Sequence, residues 1–538
     1  MDLQGELMGK NRDSSLVSRH SSLEIIRANA VVFISSFCTL VIELVAGRIL
    51  APYIGVSLYT WTSIIGVVLA GISVGAYLGG LLADRRPTQA TLGWLLFLSG
   101  IGAFSISPLT NLVGSMDVQT SLMMRTLIFT AIVFFAPSCL LGMVSPVVVK
   151  LTLRNLNHTG NVVGKIYAFS TLGSILGTFA TGFFLISWMG TRLILFSMGA
   201  ILIVSGIVFG GFIVKQKGNA ILFALSIGLA WSVYGHAFSP SEDEETYYSK
   251  ESDYYTIKLK KKSSTEDGKD LHALVLDHLI HSYTSLEDPF HLEYEYIKIY
   301  EELVEERVGA DDTFKGLFIG GGGYTFPSYL EARYPGAKID VVEIDPEVTR
   351  VAEKFLGLRK GDRIRTFNQD ARWFAMNRRG SGEYDFVFGD AFNDLSIPYH
   401  LTTVEFSALL KGLLKPDGLL FVNIIDSFQK GLFLPSYMRT LEKVFGEGNV
   451  HLVTTDTEYD YMGTGTYIIV AGSGNLHRQP VKNGAPGTPP KRKLANFMPP
   501  HILRAYLNER DPLVLTDDYV PVDNLLAPVF EERFGYRR

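Results

Sequence analysis

The stretch Gly316-Leu317-Phe318-Ile319-Gly320-Gly321-Gly322-Gly323, with Lys338-Ile339-Asp340-Val341-Val342-Glu343-Ile344-Asp345 after it, decides the fold of the C-terminal part of the chain. Residues 316–319 read as a short strand. The glycines that follow allow a turn in which the backbone comes close to a ligand. Residues 328–334 predict a helix, and residues 338–342 a second strand. Glu343 then stands at the tip of that strand, about 20 positions past the glycines, where a carboxylate can accept from both hydroxyls of a ribose. A glycine run alone is weak support, because any strand-to-helix turn can use one.

The residues downstream repeat the pattern. Asn368-Gln369-Asp370-Ala371 puts an acid at the end of a third strand, where it can accept from an adenine amino group. Tyr384-Asp385-Phe386-Val387-Phe388-Gly389-Asp390 is a fourth strand that also ends in an acid. Residues 413–423, with Pro416-Asp417-Gly418 as the turn, supply a helix end and a fifth strand. Strands alternating with helices imply a mostly parallel sheet, with ligands at the carboxyl ends of its strands. Glu343, Asp370 and Asp390 all fall at such ends. Residues 311–476 are therefore expected to form an α/β Rossmann-like domain of the methyltransferase type. Its cofactor-binding candidates are Gly320, Gly321, Gly322, Gly323, Glu343, Asp345, Asp370 and Ala371. Before it, residues 241–310 predict a small β unit, with strands near 254–259 and 273–276, and a connecting helix over 293–308.

The N-terminal part is of another kind. The chain has 538 residues, 47% of them hydrophobic, and its apolar residues concentrate before position 240. About seven runs there approach the roughly 20 residues that span a bilayer. They lie near 28–50, 59–83, 91–110, 122–147, 163–187, 191–214 and 219–238, so residues 28–240 predict a polytopic helical membrane domain after a cytoplasmic arm, 1–27. Gly71, Gly75 and Gly79 in the second run, and Gly173 and Gly177 in the fifth, are spaced for close helix packing. Glu43 and Arg48, late in the first run, are either a substrate or proton site or an ion pair that locks helices. Gly80-Leu81-Leu82-Ala83-Asp84-Arg85-Arg86 has the form of a cytoplasmic loop. Arg27, Arg85, Arg86, Lys150, Arg154, Lys165, Lys215 and Lys217 all fall on one side, which the positive-inside rule makes cytoplasmic. An odd number of spans would put the C-terminal domain outside. Since nucleosides of the kind these acids would hold are made in the cytoplasm, one run is expected not to span. The third, with Ser105, Ser107 and Pro108, and the last, with His236, are the candidates.

A net charge of -5 gives no reason to expect a nucleic-acid partner. Cys38 and Cys139 are the only cysteines and lie in apolar runs, so the C-terminal part can form neither a disulfide framework nor a cysteine zinc site, and its spacing holds no metal motif. Residues 477–538 begin with a Pro- and Gly-rich linker. They end in a tail whose Leu515-Thr516-Asp517-Asp518-Tyr519 reads equally as a lid or as a surface wrap.

The C-terminal motifs resemble those of the spermidine synthase (polyamine aminopropyltransferase) family, in its branch fused to an N-terminal helical bundle. The resemblance rests on Gly320-Gly321-Gly322-Gly323-Tyr324-Thr325, Val342-Glu343-Ile344-Asp345, Gln369-Asp370 and Asp390-Ala391-Phe392-Asn393, with Leu401, Thr403, Glu405 and Phe406 at family-like spacing. It implies transfer of an aminopropyl group from decarboxylated S-adenosylmethionine to a small amine such as putrescine, releasing methylthioadenosine. It makes Asp390 the catalytic base and Glu343 and Asp370 the holders of ribose and adenine. Tyr254, Tyr255, His281, Asn393, Asp394 and Tyr461 become substrate-binding candidates, and His400 a further lining residue. The chain departs from the family at Gly323, Asn393, His281 and Tyr255, where the family has acidic or amide side chains. Other readings of the scaffold are methyl transfer from S-adenosylmethionine, or a transporter or sensor that binds a nucleoside or polyamine without catalysis. The expected setting is a multi-pass protein of the cell membrane, in contact with lipid, with room for a homo-oligomer.

Overall fold

A computed structural model describes residues 3–55, 57–114, 116, 122–153, 159–210, 245–309, 313–359, 361, 363–391, 397–455, 463–473 and 493–534. The chain divides into two compact units, one built mainly from the chain before Asp243 and the other mainly from the chain after it.

The first unit is helical: α1 (Leu3–Ile54), α2 (Leu58–Arg85), α3 (Gln89–Gly114), α4 (Leu122–Gly142), α5 (Val144–Thr152), α6 (Thr159–Ala180) and α7 (Ile186–Gly210). Five helical segments are long and apolar enough to cross a membrane, counting α6–α7 as one of 52 residues. Glycines set the packing. A Cβ on Gly75 would stand 2.1 Å from the Cys139 carbonyl oxygen, and one on Gly79 2.6 Å from Met143 Cα, so α2 presses its small face directly on backbone. Gly173 faces Phe33 and Gly177 faces Phe37, which makes α6 parallel to α1. Gly199 faces Gly100 and Phe104 while Gly206 faces Gly93, which makes α7 antiparallel to α3. Within α7, Gly190 takes φ 67° and ψ 154°, a backbone open to glycine, and there the chain turns back.

Two expectations change here. The arm 1–27 is no separate element, because α1 runs unbroken from Leu3 into the first apolar run. The third run is not interrupted: α3 continues through Pro108, with the hydroxyls of Ser105 before it and Thr110 after it donating to the Gly102 and Ile106 carbonyls. The last run, 219–238, lies outside the described residues.

The second unit opens with four antiparallel strands in sequence order: β1 (Thr246–Glu251), β2 (Thr256–Ser263), β3 (Asp270–Leu276) and β4 (Leu279–Thr284). Ile257, Leu259, Leu274 and Leu276 face inward and join the main core. The helix Glu295–Glu305 leads to the main sheet of β5 (Lys315–Ile319), β6 (Lys338–Glu343), β7 (Ile364–Asn368), β8 (Tyr384–Gly389), β9 (Leu414–Ser427), β10 (Val450–Thr454), β11 (Thr464–Ala471) and β12 (Asn496–Phe497). Its order is β12-β10-β11-β9-β8-β5-β6-β7. β7, β6, β5, β8 and β9 are parallel, whereas β11, β10 and β12 extend the sheet antiparallel. The parallel half follows the alternation read from sequence, and the antiparallel edge and the full four-stranded unit go beyond it. Phe318, Phe388 and Phe421, one on each central strand, stack with centroids 4.4 Å and 5.2 Å apart and are buried. The chain leaves β5 toward β6 on one side and returns to pair β8 on the other. That reversal opens a crevice at the carboxyl ends of β5 and β8.

Candidate active site

The crevice is lined by the glycine turn after β5, the tips of β6, β7 and β8, and residues 398–401. Gly320 has φ 98° and its amide donates to the Val342 carbonyl; a Cβ there would stand 2.4 Å from the Asp390 carbonyl oxygen. Only a glycine lets the exits of β5 and β8 approach this closely. Gly322, at φ 48°, keeps the turn tight, and Tyr324, at φ 57°, holds it from below with its buried ring and a 3.0 Å hydrogen bond between its hydroxyl and Thr349.

Glu343 is buried at the tip of β6. One carboxylate oxygen accepts from Gly321 N at 2.7 Å and the other from Asp345 N at 2.9 Å. Burial raises its pKa, opposed by those amides. Asp370 caps the helix Ala371–Asn377, accepting from Trp373 N at 2.9 Å, and its other oxygen lies 3.0 Å from His400 Nε2. Burial pushes its pKa up, but the Trp373 amide and His400 outweigh this and hold it below the usual carboxylate range. Asp390, just past β8, is half-buried. Its oxygens accept from the Tyr296 hydroxyl and from Asn423 Nδ2, each at 3.1 Å. Burial outweighs both donors and raises its pKa. The site thus sets a carboxyl that resists ionisation at the end of β8 against one that ionises readily at the end of β7.

Of the residues named from sequence, Gly320, Gly322, Glu343, Asp370, Ala371, Asp390, Tyr255, His281 and His400 meet around this crevice. Tyr254 stands outside the lining but near the acids, and is 45% exposed. Asp345 is not part of the lining. Its carboxylate caps the helix Pro346–Phe355 through Glu347 N and accepts from Ser252, and this ties the β1–β2 turn to the main sheet. Gly323 faces β4, where a Cβ would stand 2.0 Å from Ser282 Oγ. Asn393, Asp394 and Tyr461 lie outside the described residues.

Tyr296 and Asn423 escaped the sequence reading. Asn423 had a signal, a lone amide inside the apolar strand Leu419-Leu420-Phe421-Val422-Asn423-Ile424-Ile425. Tyr296 had little, since Tyr294-Glu295-Tyr296 reads simply as the start of an amphipathic helix. Tyr296 also borders a second cleft with Tyr294, Thr454, Thr464, Thr466 and Tyr467, and its hydroxyl donates to Asp390, which lines the main one.

Strand order, glycine turn and acid-tipped strands define a Rossmann-like α/β domain of the methyltransferase type. Residues 298–473 match the spermine/spermidine synthase domain. A polyamine aminopropyltransferase from Vibrio vulnificus is 38% identical over 132 residues, which are 24% of this chain and 43% of the relative, so the match spans less than half the length of that protein. Polyamine aminopropyltransferase 2 from Aquifex aeolicus is 23% identical over 430 residues, 77% of this chain and 82% of the relative, an alignment that extends into the apolar half. The crystal structure of a probable spermidine synthase from Corynebacterium glutamicum aligns with 52% of this chain and 97% of its own, at 19% identity and a TM-score of 0.41.

Proposed function

We propose that the chain is a membrane-anchored aminopropyltransferase, taking the aminopropyl group of decarboxylated S-adenosylmethionine to a small amine such as putrescine. The observation that carries this reading is Asp390, half-buried in the cleft, raised in pKa and held by Tyr296 and Asn423. The adenosyl part lies against Glu343 through the ribose and Asp370 through adenine. The acceptor enters from the side of Tyr296 and the threonines of β10 and β11. Its nitrogen attacks the aminopropyl carbon next to sulfur. The carbon–sulfur bond breaks, its electron pair neutralises the sulfonium, and methylthioadenosine leaves. The nucleophile must be a neutral amine, and Asp390 takes the proton. A raised pKa brings this base nearer neutrality, where it accepts a proton more readily.

Among the described residues lining the main cleft there is no lysine or arginine, while three carboxyls are present. This favours a donor without a carboxylate over S-adenosylmethionine itself. Product analysis with each donor tests it: methylthioadenosine supports aminopropyl transfer, S-adenosylhomocysteine would replace it with methyl transfer, and absence of both would leave a binding protein.

The helical unit fits the bilayer. Five segments qualify, and the last doubles back at Gly190, so the described helices make six passes. Arg27 at the start of the first pass donates to the Phe209 carbonyl at the end of the last, which puts both on one side. Lys150 pairs with Asp84 at 2.7 Å, joining the ends of the second and fourth passes on that same side.

A further inference from the structure

We propose that the C-terminal turn 516–519 is a latch that positions the adenine side of the cleft through Arg372 and His400; this deepens the adenosyl reading above and rests on it. Thr516 and Tyr519 pair backbone to backbone, N to O at 3.1 Å and 3.0 Å, and so present Asp517 at the first corner of a tight turn. The Asp517 carboxylate takes the Arg372 guanidinium in a two-pronged pair, with Nη1 to Oδ1 at 2.7 Å. The same Nη1 donates to the His400 carbonyl at 3.0 Å. His400 Nε2 lies 3.0 Å from the Asp370 oxygen left over from helix capping. A continuous polar chain therefore runs from the tail to the carboxylate assigned to adenine, and both His400 and Asp370 face the cleft.

The docking of the tail does not depend on this chain. Leu515 is fully buried, its amide donates to Thr440 Oγ1 at 2.9 Å and its carbonyl accepts from Val404 N at 2.9 Å. The Asp517 amide donates to Glu405 at 3.0 Å. Removing the Asp517 carboxylate leaves these bonds in place, and its own side chain is 41% exposed, so the fold loses little. What is lost is the fork that fixes the guanidinium, and with it the orientation of the 399–401 turn. Arg372 and Asp517 are thus positioning residues; neither lines the cleft.

The experiment uses the full-length protein in detergent and methylthioadenosine as the probe. Asp517→Ala is expected to weaken its binding on the order of tenfold, with melting temperature close to wild type. Asp517→Glu, which keeps the carboxylate, restores most of the affinity. In a His400→Ala background, Asp517→Ala has no further effect. Wild-type affinity in Asp517→Ala, or a full effect persisting without the histidine side chain, overturns the latch. Hydrogen exchange over residues 397–404 reads the latch without any ligand. It is expected to quicken in Asp517→Ala, and unchanged exchange overturns the proposal. If the wild type fails to bind the nucleoside, the adenosyl reading falls, and the exchange measurement alone decides the latch.

Discussion

Asp390 and Glu343 share a cleft and a raised pKa, but their neighbours prepare them for different work. Tyr296 and Asn423 give Asp390 one hydrogen bond on each oxygen, which leaves it able to take a proton. Asp390→Asn keeps the contacts and removes the base, so turnover is expected to fall by about 10²–10⁴-fold while methylthioadenosine binding persists. Near-normal turnover would remove Asp390 from the role of base. The same variant has a stability consequence. The folded pKa of Asp390 lies above its unfolded value. Stability linked to the neutral acid is therefore fully present below the unfolded pKa and is lost as pH rises through the folded one. Asp390→Asn is expected to melt higher than wild type at pH about 8 and to match it below pH about 4, a difference thermal melts at the two pH values will read. Tyr296→Phe removes a donor to the carboxylate, so the acid limb of the pH–rate profile should move to higher pH; a limb that stays put would separate Tyr296 from the base. Glu343→Gln replaces an acceptor of ribose hydroxyls with an amide and is expected to weaken methylthioadenosine binding with the fold intact, and calorimetry showing equal affinity would end the ribose assignment.

At the level of elements, the turn after β5 is fitted to two neighbours at once. Gly320 is pressed against the exit of β8 and Gly323 against β4, so the small β unit forms part of the wall behind the turn. Gly323→Ala puts a Cβ 2.0 Å from Ser282 Oγ and 2.9 Å from Ser282 Cβ, and something must shift. The expected loss is about 1–3 kcal/mol of stability, as for overpacking of a tight site. Adding Ser282→Gly should recover most of it, because both offending atoms belong to that side chain. Melts of the single and double variants will show the coupling, and additive losses would mean that β4 does not confine the turn. This contact is why an acidic side chain is not accommodated at position 323: β4 occupies the space it would need.

At the level of the whole molecule, the question is the side on which the C-terminal domain lies. In the membrane-anchored reading, the Gly190 turn and the Arg27–Phe209 contact return the chain at residue 210 to the side of Arg27, which the charge rule would make cytoplasmic. We expect the C-terminal domain to face the cytoplasm, the compartment in which the proposed donor is made. Lys261→Cys, at an exposed position of β2, in a background lacking Cys38 and Cys139, tests this. An impermeant maleimide should label it only after permeabilisation. Labelling of intact cells would place the domain outside and direct attention to external amines as substrates.

The parallel half of the main sheet and its acid-tipped strands were legible in the sequence, because alternation of apolar strands with helices and the spacing from glycines to Glu343 are local properties. So were the apolar runs, since spanning length is a count along the chain. Partnerships between distant segments were not legible. That Tyr296 meets Asp390, that Ser252 of the β1–β2 turn donates to Asp345, that Ser282 confines Gly323, and that Asp517 reaches the adenine side through Arg372 all join residues far apart in sequence. The parallel course of α6 beside α1 and the reversal at Gly190 belong to the same class, because hydropathy measures how apolar a run is and carries no record of which helix it packs against. Local pattern therefore determined the elements and most of the acids of the site, while only tertiary packing decided which polar groups those acids face, and with that which of them can hold a proton.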